Sequence, residues 1–183
     1  MSKIIKLDLH THPIEALKHK YTINGIRDIK REVAADIVAS IKASGLGGIA
    51  ITERHNFNHS WVAALEIMDH FRRENLIILP GAEIDFEGQH LIRLYIPEIY
   101  RRRLSFFKGK EWFLILAHPG YYSPIDIQQF SQIKLDAVEE RSHHGNFSSA
   151  QSISLARDIP AIVASDAHRL EDIGSFYTEM EIK

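Results

Sequence analysis

The sequence contains no cysteine. That excludes a disulfide framework and thiolate metal sites, so any bound metal must be held by histidine and carboxylate. No stretch reaches the roughly 18 consecutive apolar residues of a membrane span. The first residues are interrupted by Lys3, Lys6 and Asp8, unlike the unbroken apolar core of an export signal. A protein of the cytoplasm with no membrane partner is the expectation. An excess of one charge is lacking too: 22 Lys and Arg stand against 24 Asp and Glu, a formal net charge of −2. Such a balance gives no general attraction to nucleic acid. Internal repeats, low-complexity tracts and composition breaks are absent, so the 183 residues are expected to form one domain, 1–183, with 45% apolar residues to fill its core. Histidine, by contrast, is plentiful. Each of the 11 is a potential metal ligand or a group that titrates near neutral pH.

The first stretch, 3–12, alternates like a β-strand and ends in His10-Thr11-His12. Side chains two apart on a strand share a face, so both imidazoles can reach one ion, and such a pair suits Zn, Fe or Mn. Taken alone, the pair reads equally well as two half-buried side chains at a strand end. Residues 13–25 have no clear period and read as a loop. A helix starting at Asn24 or Asp28 follows, with Ile26, Ile29, Val33, Ile37 and Ile41 at helical spacing and Gly45 as its stop. The run 47–52 reads as a parallel strand buried on both faces. Next come a helix from about Ser60, a strand at 76–79, and an alternating strand at 89–96 that must return antiparallel, because the connection is too short for a crossover. The pattern resumes with a strand at 112–117, a helix from about Pro124, a weak strand near 137–138, a helix from about Ser148, a core strand at 160–164 and an edge strand within 175–182. Strands alternating with helices predict a parallel sheet closed into a barrel. The basic run 101–110 reads as solvated surface, with no specific nucleic-acid binding expected.

Chemistry-bearing residues fall where such a fold can use them. His10, His12, His55, Glu83, His118, Asp166 and His168 all lie at or just beyond the C-terminal end of a predicted strand. His90 begins the antiparallel strand, which starts at the same rim. In parallel β/α barrels the active site is built on that rim. Eight residues of ligand type drawn from six strands would therefore converge, which favours a metal centre over eight separate structural roles.

These residues resemble the polymerase and histidinol phosphatase (PHP) superfamily. The resemblance lies in Asp8-Leu9-His10-Thr11-His12, Gly48-Ile49-Ala50-Ile51-Thr52-Glu53-Arg54-His55-Asn56, Pro80-Gly81-Ala82-Glu83-Ile84, Ala117-His118-Pro119-Gly120 and Ala164-Ser165-Asp166-Ala167-His168. It implies an α/β fold, a distorted seven-stranded TIM-like β/α barrel with a two- or three-metal centre that acts on phosphoesters. By motif match, His10, His12, His55, Glu83, His90, His118, Asp166 and His168 take ligand roles. Arg54 departs from the pattern by standing between Glu53 and His55, which weakens Glu53 as a ligand. The family also often places a further ligand after the first motif. His19, with Glu15 behind it, is the substitute.

The resulting expectation is a hydrolase of small phosphorylated substrates that uses two or three divalent ions, Zn, Mn or Fe, and a metal-bound hydroxide held by Glu83, His118 and Asp166. Glu83 is the natural bridge, since one carboxylate has two oxygens. Arg54 and Arg141 are candidates for gripping phosphate, although surface ion pairs serve equally as their role. His59 and His70 fit a helix start and a solvent face, while His143 and His144 fit a pocket wall without metal. The competing readings are amide or lactone hydrolysis on the same barrel, and a metal-stabilised binding module without turnover. A Ser-His-Asp or Cys-His nucleophile does not compete, because cysteine is absent and no serine lies in a nucleophile-elbow pattern.

Overall fold

The structure, a computed structural model, describes residues 3–183. Its strands are β1 (Lys3–Thr11), β2 (Gly48–Ile51), β3 (Ile77–Phe86), β4 (Gln89–Tyr95), β5 (Trp112–Ala117), β6 (Ala137–Ser142), β7 (Gly145–Asn146), β8 (Ala161–Val163) and β9 (Thr178–Ile182). Its helices are α1 (Pro13–Leu17), α2 (Arg31–Ala43), α3 (Phe57–His70), α4 (Glu98–Arg101) and α5 (Ser148–Arg157). The sheet runs β7-β6-β5-β4-β3-β2-β1-β9, with β8 paired to β6. β1, β2 and β3 are parallel, as are β5, β6 and β8. β4 runs antiparallel between β3 and β5, as its short connection requires.

The hydrogen-bonded ladders join nine strands in a curled sheet, where seven closing into a barrel were expected. The difference arises at the seam. β9 occupies β1 from Lys3 to Leu7, so the chain beyond β8 reaches β1 only at its last residues. There Asp166 N donates to His10 O (2.9 Å), His12 N donates to Ala167 O (2.8 Å), and the buried Asp8 accepts from the backbone of Ser165 (2.9 Å) and Gly174 (3.0 Å). Burial pushes the Asp8 carboxyl up to about 6 against the pull of those donors.

Alternation along the strands decides what the curled sheet encloses. Leu7 and Leu9 of β1, Ile77 and Leu79 of β3, Ile92 and Leu94 of β4, Ile115 and Ala117 of β5, Ala137 of β6 and Ile162 of β8 pack into one apolar cluster. Followed toward the rim, the same faces of β3, β4, β6 and β8 present Glu83, His90, Glu139 and Asp166. β1 shifts register on β2 between Asp8 and Thr11, which lets His10 join them despite its odd spacing from Leu9. The outer face carries Ile49, Ile51 and Ile78 against α2 and α3. Gly48 sits where β2 and β3 touch most closely: a Cβ there would lie 1.9 Å from the Ile77 carbonyl oxygen.

Three local expectations change. The helix expected from Asn24 or Asp28 begins at Arg31, because Ile26–Asp28 forms a separate 3-10 turn that ends in extended backbone at Ile29. The helix predicted from about 124 is only a 3-10 turn at Ile127–Phe130, because the segment has no apolar stripe long enough to dock a helix. The predicted loop 13–25 contains α1, which begins with Pro13 in a first turn that needs no proline donor. Glu53 is what secures that turn. It is buried and accepts from Ile14 N (2.7 Å) and Glu15 N (3.2 Å), and burial raises its carboxyl to about 7.

Candidate metal centre

At the rim, Glu83 is the hub. Its Oε1 lies 2.7 Å from His90 Nδ1, 3.0 Å from His118 Nε2 and 3.7 Å from His10 Nε2, while Oε2 lies 3.6 Å from His12 Nε2. Asp166 closes the other side. Its Oδ1 is 3.2 Å from both His10 Nε2 and His12 Nε2, and its Oδ2 is 3.0 Å from His144 Nε2. The Nε2 atoms of His10 and His12 are 3.2 Å apart. All of these side chains except His144 are buried or nearly so.

A cation explains this crowding better than hydrogen bonds do. Among the described residues, Asp166 Oδ1 is a buried oxygen with no hydrogen-bond partner despite two imidazole nitrogens at 3.2 Å. Donors about 2.0–2.2 Å from a common ion stand roughly 3.3–3.6 Å apart along the edges of a tetrahedron, and the observed separations, from 2.7 to 3.7 Å, straddle that length. Electrostatics point the same way. Burial would raise the Glu83 and Asp166 carboxyls, but the facing histidines hold both well below the usual carboxylate range. Burial would lower His10, yet Asp166, Glu139 and Glu83 outweigh it and push it up to about 10. The site is a pocket of negative charge that calls for positive charge at the histidine nitrogens.

Several residues at the rim went unread in the sequence. Glu139 is fully buried, with Oε1 3.2 Å from His10 Nδ1 and Oε2 accepting from His118 N at 2.8 Å. It lies beyond the weak strand expected near 137–138, and an inward face for it follows only if that strand is extended by a few residues. Asp85 lies 3.0 Å from His55 Nε2 and 3.1 Å from His90 Nε2. Tyr121 and Tyr122, both exposed, stand over the cluster against His144 (ring centroids 4.4 Å apart) and His90 (4.8 Å). Gln89 fixes the loop that carries them, accepting from Gly120 N at 3.0 Å.

The eight residues expected to be ligands are not all equivalent. His10, His12, Glu83, His90, His118 and Asp166 converge. His168 lies half-exposed at the lip, its ring edge-on to His12 at 4.4 Å and its Nδ1 3.9 Å from Asp166. His55 is exposed and directed to Asp85 rather than into the buried cluster. His19 is also exposed, in an open groove shared with His168. Arg54 is at the site, its Nε donating to Glu83 Oε2 at 3.2 Å. Arg141 is not brought to it, and its guanidinium lies over the Phe176 ring at 4.8 Å. His118, Asp166 and His55 all adopt positive φ, at 26°, 55° and 51°. Non-glycine residues held in that region are characteristic of strained functional sites.

Comparison with known proteins bears on the fold. Residues 148–183 match the PHP-associated family. No curated protein matches the chain. Among solved structures, a two-domain protein from Bacteroides vulgatus, described as containing a predicted PHP-like metal-dependent phosphoesterase, is similar, with 15% identity and a TM-score of 0.61 over 92% of this chain and 53% of that one. The chain thus spans about half the length of that protein. A protein from Bifidobacterium adolescentis described as a predicted metal-dependent phosphoesterase is similar over 94% of this chain and 92% of that one, with 14% identity and a TM-score of 0.62. An amidohydrolase from Chromobacterium violaceum with bound sulfate is similar over 93% and 90%, with 13% identity and a TM-score of 0.61. The chain thus shares its fold with these structures, and its C-terminal segment matches the PHP-associated family.

Proposed function

We propose that the chain is a metal-dependent phosphoesterase acting on a small phosphorylated substrate, with His10, His12, Glu83, His90, His118 and Asp166 as the ligand set of a centre of at least two ions. One observation carries the reading: the two oxygens of Glu83 face different histidines while Asp166 Oδ1 has no other partner. Divalent ions bound there would supply Lewis acidity and make water a nucleophile at neutral pH.

The chain's own residues prepare that chemistry. Glu139 Oε1 accepts a hydrogen bond from His10 Nδ1–H, which in the neutral ring leaves the Nε2 lone pair facing Glu83 and Asp166. Its other oxygen ties down the backbone N–H of His118 and so fixes that residue's positive-φ turn. Arg54, partly exposed beside Glu83 and His90, is placed to fork onto an incoming phosphate. Tyr121 and Tyr122 narrow the mouth. Three side chains of the basic run pair with carboxylates, Arg101 with Glu111, Arg102 with Glu98 and Lys110 with Asp136, in keeping with a small substrate rather than a nucleic acid.

The test is a panel of phosphomonoesters and phosphodiesters, with amide and lactone substrates alongside, assayed with Mn, Zn and Fe. Elemental analysis should find about two or more ions per chain, which is what six converging donors imply. Phosphoester hydrolysis should disappear with chelator and return on refilling. Turnover confined to the amide or lactone arm would replace the proposed reaction while keeping the metals. A protein that holds no metal after refilling would overturn both.

Glu139→Gln is expected to weaken metal binding and turnover together by about 10–100-fold, the usual consequence of losing a group that orients a histidine ligand. Calorimetric metal titration measures this directly. An unchanged affinity would show that His10 holds its orientation without Glu139.

A further inference from the structure

We infer that His143, His144 and Asp166 form an additional divalent-cation site beside the main cluster. One nitrogen of each histidine and an oxygen of Asp166 lie within 4.8 Å of one another. The inference rests on the reading of the main cluster as metal-binding, because Asp166 belongs to both.

Three observations support a cation here. The first is tautomeric. His143 Nδ1 lies 2.7 Å from the Ser165 carbonyl oxygen, which can only accept, so the proton is on Nδ1 and Nε2 carries a free lone pair. That is the form in which imidazole binds metal, with its other nitrogen anchored to a carbonyl. The second is the identity of the turn. Arg141 pairs with Asn146 and Ser142 with Gly145, so His143 and His144 are the whole of a two-residue hairpin loop. That loop holds the two imidazole rings 3.9 Å apart, centroid to centroid, and brings a nitrogen of each near Asp166. The third is charge. His144 Nε2 is 3.0 Å from Asp166 Oδ2, the oxygen turned away from His10 and His12. A phosphate oxygen placed between that carboxylate and the His143 lone pair would meet only acceptors, whereas a cation satisfies both.

The experiment is a Zn²⁺ titration of the metal-stripped full chain, followed by calorimetry and elemental analysis, for the wild type and for H143N/H144N. The variant should bind one equivalent fewer than the wild type while retaining the main centre. Equal stoichiometry would overturn the inference and leave the main metal centre standing. A wild type that binds no Zn²⁺ would overturn both. Should the variant fail to fold, anomalous scattering at the zinc edge from wild-type crystals gives the answer, with a peak between His143 Nε2, His144 Nε2 and Asp166 Oδ2 expected and its absence counting against the site.

Discussion

Glu83→Gln should lower phosphoester hydrolysis by more than about 100-fold, beyond the range expected for a group that merely orients a ligand. It should also reduce the ions held per chain. The amide is nearly isosteric, so packing is preserved and only charge and ligand strength change. That change falls on every partner at once: His90, His118 and His10 on one oxygen, His12 and Arg54 on the other. An amide presents a carbonyl to one set and an N–H donor to the other, and the donor repels a cation where the carboxylate attracted it. A histidine variant such as His168→Ala, at the half-exposed lip, should cost less, because its neighbours remain buried and paired. Activity assays alongside elemental analysis decide the matter. Near-native rate and metal content in Glu83→Gln would remove Glu83 from a bridging role and leave it as a positioning group for His90 and His118.

Gly48→Ala should have the largest effect on folding of any single methyl addition to the sheet. The new Cβ would lie 1.9 Å from the Ile77 carbonyl oxygen, 2.7 Å from its carbonyl carbon and 2.8 Å from its nitrogen. All three are backbone atoms of β3, held in register against β2, so no flexible side chain can move aside. Relief requires the two strands to separate where both are buried. A loss of about 4 kcal/mol or more belongs to the exceptional class of point mutations, and is a large share of the roughly 5–15 kcal/mol that stabilises a domain. Gly25→Ala is the matched control, since nothing lies within 4 Å of its Cβ and its backbone is extended. Urea denaturation should separate the two variants clearly. A Gly48→Ala protein with near-native stability would mean that β2 and β3 can part at this point without loss.

Much of the rim was legible because each contribution is local. His10-Thr11-His12, His118-Pro119-Gly120 and Ser165-Asp166-Ala167-His168 each end a recognisable strand, and the antiparallel return of β4 followed from a connection too short to cross over. What escaped depended on contacts between distant segments. Glu139 belongs at the centre because β6 runs on to Ser142, and nothing near 139 in the sequence distinguishes an inward carboxylate from the exposed Glu140 beside it. His55 ends a strand motif as expected, but its positive φ turns the side chain toward Asp85, on a strand that only the fold brings near. Glu53, a weak ligand candidate by its position, is consumed by the first turn of α1. The nine-strand path was hidden for a similar reason, since β9 competes with the chain after β8 for the same edge of β1.

The seam at β1 also bears on the order in which the protein folds. Asp8 is bonded to Ser165 and Gly174 across separations of 157 and 166 residues, and β1 has β9 along its outer edge. Contacts this remote in sequence slow folding, because chain entropy is lost before they form. During synthesis, β1 through β5 can pair with one another early, whereas the rim histidines of β1 must wait for residues 165–167 before a carboxylate closes over them. A ribosome-bound chain lacking that last stretch would carry His10 and His12 with an open edge beside them, and completion of the rim is coupled to arrival of the C-terminal segment.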